Sequence, residues 1–208
     1  LAMAMACQKK GVQFEYETEV EKILVKRGAA YGVRTKRGDE IHADYIVSGV
    51  YPDAVYGKMI EPLSEVPPRA YKLIHGREES VSCFSVILIL DQTPEQLGIE
   101  DYSVFDSDVP FSDEVFWEEL KHPRPWHYLT TTCLNLANPK ALPDGTTSLS
   151  ITALPLPESF FDVEPDEYFA LKRKLAKAMI EREEKRLGVS LSDHILEIEI
   201  ETPVSVSH

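Results

Sequence analysis

A chain of 208 residues with 43% hydrophobic content is long enough to bury a sizeable core and to hold one or two domains. Its formal net charge of -13 is uneven: residues 1–60 carry 9 Lys or Arg against 8 Asp or Glu, and residues 61–208 carry 13 against 27. Such a surface repels phosphate backbones and anionic headgroups, which argues against nucleic acid as a partner, and no run approaches the ~20 apolar residues of a membrane span.

Residues 1–7 (LAMAMAC) read as the tail of a helix, with Lys9 and Lys10 at its C-terminus and Gly11 as its stop. Val12 and Phe14 alternate with polar neighbours and predict a strand over 12–16. Val20, Ile23 and Val25 predict the next, ending in a turn at Lys26-Arg27-Gly28, where Gly accepts positive φ. A strand over 31–35, a turn at Arg37-Gly38-Asp39 and a strand over 40–42 follow. Residues 45–50 (YIVSGV) are too continuously apolar for a one-faced surface strand, and such runs belong in sheets covered on both faces. The expectation is that 12–16 and 45–50 are neighbours in one parallel layer, with an antiparallel ribbon between them.

Pro52 opens a short helical segment to Gly57. Pro62, Pro67 and Pro68 mark a boundary between a domain over 1–61 and a second over 62–208. Residues 69–76 suggest a helix and 81–90 (VSCFSVILIL) the strongest strand of the chain. A helical turn at 94–98 and strands over 102–105, 126–132 and 147–156 come next. Pro165 starts a long helix that runs to Leu187 with Gly188 as its stop. Tyr168, Leu171, Leu175 and Met179 form one apolar row, widened by Phe169, Ala176, Ile180 and Leu187, so this helix should lie on a sheet. Residues 195–200 alternate strictly and read as a half-buried strand. The fold class is α+β, with a mainly antiparallel sheet and one long helix in the second part.

The opening residues resemble the later part of the nucleotide-binding domain in flavin-dependent oxidoreductases of the phytoene desaturase, carotenoid isomerase and amine oxidase superfamily. Gly11, Val12, Phe14, Thr18, Val20 and Ile23 match its G-V-x-(I/F)-x-x-x-T-x-V-x-x-I segment. Gly32, Val33, Gly38, Ala43, Asp44, Ile46, Val47, Ser48 and Pro52 match the G-V-x-x-x-x-G-x-x-x-x-A-D-x-V-(V/I)-S-N-A-x-P that follows. Gly49 and Val50 stand where the family has Asn and Ala, which removes a side-chain contact at 49 but still permits close approach of a ligand. In the second part, Val86–Leu90 with Glu95–Gly98, the turn over 138–145, and the long helix followed by a strand and Thr202-Pro203 keep the order of the family's substrate domain.

The resemblance implies FAD as cofactor and hydride or electron transfer at its isoalloxazine ring. It places the backbone of Val20 beside the adenine, and Ser48, Gly49 and Val50 at a strand end facing the dinucleotide. Ligands of open α/β sheets gather outside the carboxyl ends of strands, which favours 48–50; Val20 reads equally well as an ordinary strand residue. No G-x-G-x-x-G occurs, and the family's last Gly-rich segment is also missing. The expectation is an excised central piece that binds flavin poorly and is inactive alone. The implied substrate is an apolar polyene, with an amine as the alternative, and peripheral membrane contact of the full-length protein is left open.

The remaining constellations are weaker. Cys7, Cys83 and Cys133 are odd in number and far apart, and read as buried thiols of a reducing, cytoplasmic compartment. The histidines have no H-E-x-x-H spacing, and Asp106, Asp108, Asp113 and Glu114 lack the Gly and terminal Glu of a calcium loop, so no metal site is read. No catalytic residue stands out. Trp117, Trp126, Tyr128, Phe160 and Phe161 suit either an apolar substrate cavity or a core. The competing non-enzymatic reading is an acidic α+β module that binds a basic partner.

Overall fold

Two successive residues in the left-handed region, Arg27 at φ 54° and Gly28 at φ 77°, close the hairpin around which the first part of the chain is built. The computed structural model describes residues 2–77 and 80–206, and the chain divides into one unit over 1–78 and another over 79–208.

The first unit opens with helix α1 (Ala2–Lys9), which buries no residue. Strands β1 (Val20–Lys26), β2 (Ala29–Thr35) and β3 (Glu40–His42) form an antiparallel meander. The turn matches a right-handed twist because both central residues have positive φ, and the Glu65 carboxylate accepts the Arg27 and Gly28 amides at 3.1 and 2.7 Å. Gly32 is required by packing: a Cβ there would lie 2.7 Å from the Ile41 carbonyl oxygen. After the short α2 (Pro52–Ala54) and a π-helical turn over Val55–Met59, strand β4 (Ile60–Glu61) pairs parallel to β1, giving the order β3-β2-β1-β4. Helix α3 (Pro68–His75) follows. Ile23, Val55 and Ile60 form a small core, with Val25, Ala30, Val33 and Ile46 packed against it.

The expected parallel layer of 12–16 and 45–50 is not formed. Neither segment is a strand, and Phe14 and Ile46 lie in no sheet. A strand exists only through its ladder, and among the described residues no strand pairs with either segment. The apolar run is accordingly open, with Val47 96% and Tyr45 88% exposed. Among the described residues, parallel pairing in this unit is confined to Ile23 opposite Ile60 and Leu24 opposite Glu61.

The second unit is a five-stranded antiparallel sheet made of β5 (Phe84–Leu90), β6 (Ser103–Ser107), β7 (Tyr128–Cys133), β8 (Thr147–Ala153) and β9 (Ile195–Glu201), in the order β6-β7-β8-β5-β9. Residues 94–98 form turns and not a helix. Between β6 and β7 lies α4 (Asp113–Lys121), which was not foreseen; α5 (Leu134–Ala137) follows β7. Helix α6 (Pro165–Leu187) has the bounds expected of it: Pro165 and two acids open it, Lys185 and Arg186 close it, and Gly188 at φ 74° donates its N–H to Glu184 O. Its Leu175, Ala176, Met179 and Ile180 pack on Phe84, Val86, Leu88, Leu149 and Ile151 of the sheet. Phe169 falls outside that stripe and is 61% exposed. A last short helix, α7 (Pro203–Val206), follows β9.

Candidate functional site

In the first unit, Val20 begins β1 opposite Thr35 and is half-buried. Ser48 and Val50 line a cavity of about 500 Å³ with Ile23, Ile46, Tyr56 and Glu65; Val20 and Gly49 are not in its lining. Ser48 Oγ accepts the Val50 N–H at 3.2 Å. From Tyr45 to Gly49 the backbone takes no hydrogen bond among the described residues, and a Cβ at Gly49 would meet nothing within 4 Å. Free amide and carbonyl groups beside open space can accept a ligand at close range, which is the contact a dinucleotide makes with backbone. Across the same sheet Arg34 pairs with Glu61 at 2.6 Å. Their mutual hydrogen bond, working against desolvation, holds the Glu61 carboxyl below the usual range and raises the guanidinium.

The second unit offers a larger surface. Alternation along the strands puts one face of the sheet on α6 and leaves the other open. Register aligns Ser85, Thr152, Thr130 and Phe105 in one row of that open face, and Ile87, Ser150, Thr132 and Ser103 in the next. The hydroxyls bond across strands, Ser85 to Thr152 at 3.0 Å and Ser103 to Thr132 at 3.5 Å. Glu197, Glu199 and Glu201 continue the rows on the edge strand β9.

Helix α4 covers one end of this face and encloses a cavity of about 360 Å³, lined by Phe105, Phe111, Phe116, Glu119, Tyr128 and Leu154 among others. Tyr128 anchors the entrance: its hydroxyl oxygen accepts the Ser112 N–H at 3.1 Å and its O–H donates to Pro110 O at 3.4 Å. The rings of Phe111 and Phe116 lie 5.7 and 6.0 Å from that of Tyr128. The five aromatics singled out in the sequence therefore divide. Tyr128 lines the cavity. Trp126 packs in the core against Phe84 and also lines the cavity, Phe160 is a core residue against Phe84, and Trp117 and Phe161 are exposed. Phe105, Phe111, Phe116 and Glu119 were missed. Ser112 before two acids, an apolar stretch and Lys121 was a legible helix signal for α4.

The acidic cluster near Asp106 is neutralised by the protein itself. Arg182 Nε donates to Asp106 Oδ2 at 3.0 Å and Nη1 to Trp126 O at 2.8 Å, while His127 Nδ1 lies 2.6 Å from Asp108 Oδ1. Partial burial works against the Asp108 charge, but the His127 hydrogen bond and the Arg182 guanidinium outweigh it, and the carboxyl titrates below its ordinary range. Cys133 is buried, with its thiol pushed up by desolvation, whereas Cys7 and Cys83 are only half-buried. No helix of the described residues is long and apolar enough to cross a membrane.

Residues 1–170 match the family described as "Flavin containing amine oxidoreductase". A chloroplastic prolycopene isomerase of Arabidopsis thaliana is 24% identical over 205 residues, covering 97% of this chain and 32% of that protein. A phytoene desaturase of Cercospora nicotianae is 27% identical over 152 residues, 72% of this chain and 24% of that one. Among solved structures, an oxidoreductase of Methanosarcina mazei aligns with a TM-score of 0.59 at 15% identity, over 96% of this chain and 40% of the other. A redesigned putrescine oxidase aligns at 0.56 and 11%, over 96% and 37%. Both show likeness of fold. The chain spans about a third of the length of the prolycopene isomerases it matches.

Proposed function

Because the chain belongs to the flavin containing amine oxidoreductase family, we propose that it is part of an FAD-dependent oxidoreductase acting on an apolar polyene, of the phytoene or carotenoid desaturation and isomerisation type. What supports the substrate class is the similarity to a prolycopene isomerase through 97% of the chain, which takes in both units. In this reading residues 1–61 serve the cofactor and 62–208 the substrate.

The residues present fit a dinucleotide. The unpaired backbone before Gly49 and the open space at its Cα would receive it, with Ser48 and Val50 beside it and the Val20 backbone toward the adenine. Bound FAD supplies hydride or electron transfer. The chain's own part is to hold and orient: the open face of the second unit, with its rows of hydroxyls, forms a wall along which an elongated substrate is positioned. Alone, the 208 residues hold flavin weakly and do not turn over, since the G-x-G-x-x-G turn that cradles the pyrophosphate is absent from them. In the same reading the full-length protein is cytoplasmic, and what supports peripheral contact with a membrane is the apolar character of a polyene substrate.

The deciding measurement is the absorbance spectrum of the purified full-length protein. Flavin bands, or their appearance on adding FAD, are expected. A colourless protein that takes up no FAD overturns the function.

A further inference from the structure

The cavity under α4 joins an aromatic lining to a buried carboxylate whose hydrogen bonding is incomplete. Glu119 is 2% exposed and lines the cavity. Its Oε1 accepts the His127 backbone N–H at 2.6 Å. The His127 ring nitrogen Nε2 is 3.9 Å from that same oxygen, beyond hydrogen-bond range. Among the described residues Oε2 accepts no hydrogen bond, and it is also not sealed away, since the one side-chain polar atom both sealed and unpartnered is Thr131 Oγ1. Among the described residues Oε2 is thus the unfilled acceptor of a carboxylate whose residue lines the cavity.

A buried carboxylate oxygen calls for a donor, and leaving it without one carries a desolvation penalty. The neighbouring acids are already served, Asp106 by Arg182 and Asp108 by His127 and Arg182. Among the described residues nothing serves Glu119 Oε2. Around it, Phe105, Phe111, Phe116 and Tyr128 present ring surface, and an apolar lining with a few placed polar groups is the make-up of a small-molecule site.

We propose that this cavity binds a small amphiphile, with a flat apolar body against those four rings and a hydrogen-bond-donating head, hydroxyl or ammonium, on Glu119 Oε2. The site lies wholly within the second unit and does not depend on the flavin reading. A hydrocarbon polyene has no such head, so the proposal assigns the cavity a ligand chemistry of its own.

Three probes share one body and differ in the head: 2-phenylethanol, 2-phenylethylamine and ethylbenzene. Each is titrated into the 208-residue protein at pH 7, with calorimetry for affinity and the His127 backbone amide shift for location. At least one donor-bearing probe should bind tenfold or more tightly than ethylbenzene, a difference of ~1.4 kcal/mol, and the one that does so identifies the head. Phe116→Ala should weaken all three by roughly tenfold, equivalent to ~1.4 kcal/mol. Glu119→Gln, which keeps an acceptor for the His127 N–H, should remove the advantage of the amine if the amine is the tight binder. Equal affinity of all three probes overturns the proposal, as does no binding of any, or binding that leaves the His127 amide unmoved. The comparison of probes on the unsubstituted protein stands even where a variant fails to fold.

Discussion

Arg182 holds the second unit together at a point where helix, strand and loop meet, and replacing it should show how much one partly buried cation is worth. Arg182→Met keeps the aliphatic stem and removes the guanidinium, so Asp106 loses its partner, Trp126 O loses a donor and Asp108 loses a charge 3.6 Å away. Breaking a fully buried pair costs about 3–5 kcal/mol. Here the Arg182 side chain is 15% exposed but those of Asp106 and Asp108 are 25% and 54% exposed, so water can replace part of what is lost, and a cost of roughly 2 kcal/mol is expected. The assay is urea unfolding followed by Trp fluorescence. Both Trp residues, 117 and 126, lie in the second unit, so the signal reports that unit alone. The loss should depend on pH with a definite sign. Asp108 has a folded pKa below its unfolded one, so the stability it contributes is present above the unfolded value of ~3.9 and disappears as pH falls through the folded value. The difference between Arg182→Met and the unsubstituted protein should therefore be largest near pH 7 and shrink toward pH 3. A cost below ~0.5 kcal/mol, the level of an exposed pair, or one that stays constant down to pH 3, would refute the reasoning.

Two further outcomes follow from local geometry. Gly188→Ala should lower the stability of the second unit by about 1 kcal/mol, because Gly188 sits at φ 74° and a Cβ there meets nothing within 4 Å, so the cost is backbone strain alone; thermal unfolding measures it. Cys133, buried with a raised thiol pKa, should resist iodoacetamide at pH 8 in the folded protein while Cys7 and Cys83 are alkylated, as peptide mass mapping would reveal; rapid alkylation of Cys133 would mean that β7 opens readily.

Punctuation and periodicity made much of the second unit legible before any coordinates. Pro165, the apolar stripe of α6 and Gly188 act within a few residues of one another, and the helix they predict has the observed bounds. Strict alternation in 195–200 and the apolar run before Asp91 likewise gave strands close to those found. The candidate site was less legible. Glu119 and Phe116 belong to α4, whose opening acids, Asp113 and Glu114, were weighed only as part of a calcium loop and rejected as one, leaving the helix unread. The aromatics could not be divided between core and cavity because composition does not say which face of a sheet is covered.

Residues 12–16 and 45–50 mark the limit most clearly. Their composition suits a buried parallel layer, yet a strand needs a neighbour, and among the described residues no strand forms a ladder with either segment, so both stay outside the sheets. Chain-local chemistry determined the turns, the helix ends, the hairpin and the family resemblance, because each depends on φ, ψ and side chains only a few positions apart. Tertiary structure alone decided the strand order, the side on which α6 lies, and the neutralisation of Asp106 by a guanidinium 76 positions away. Pairing, burial and charge compensation are settled between residues distant in sequence, where no local pattern records the partner.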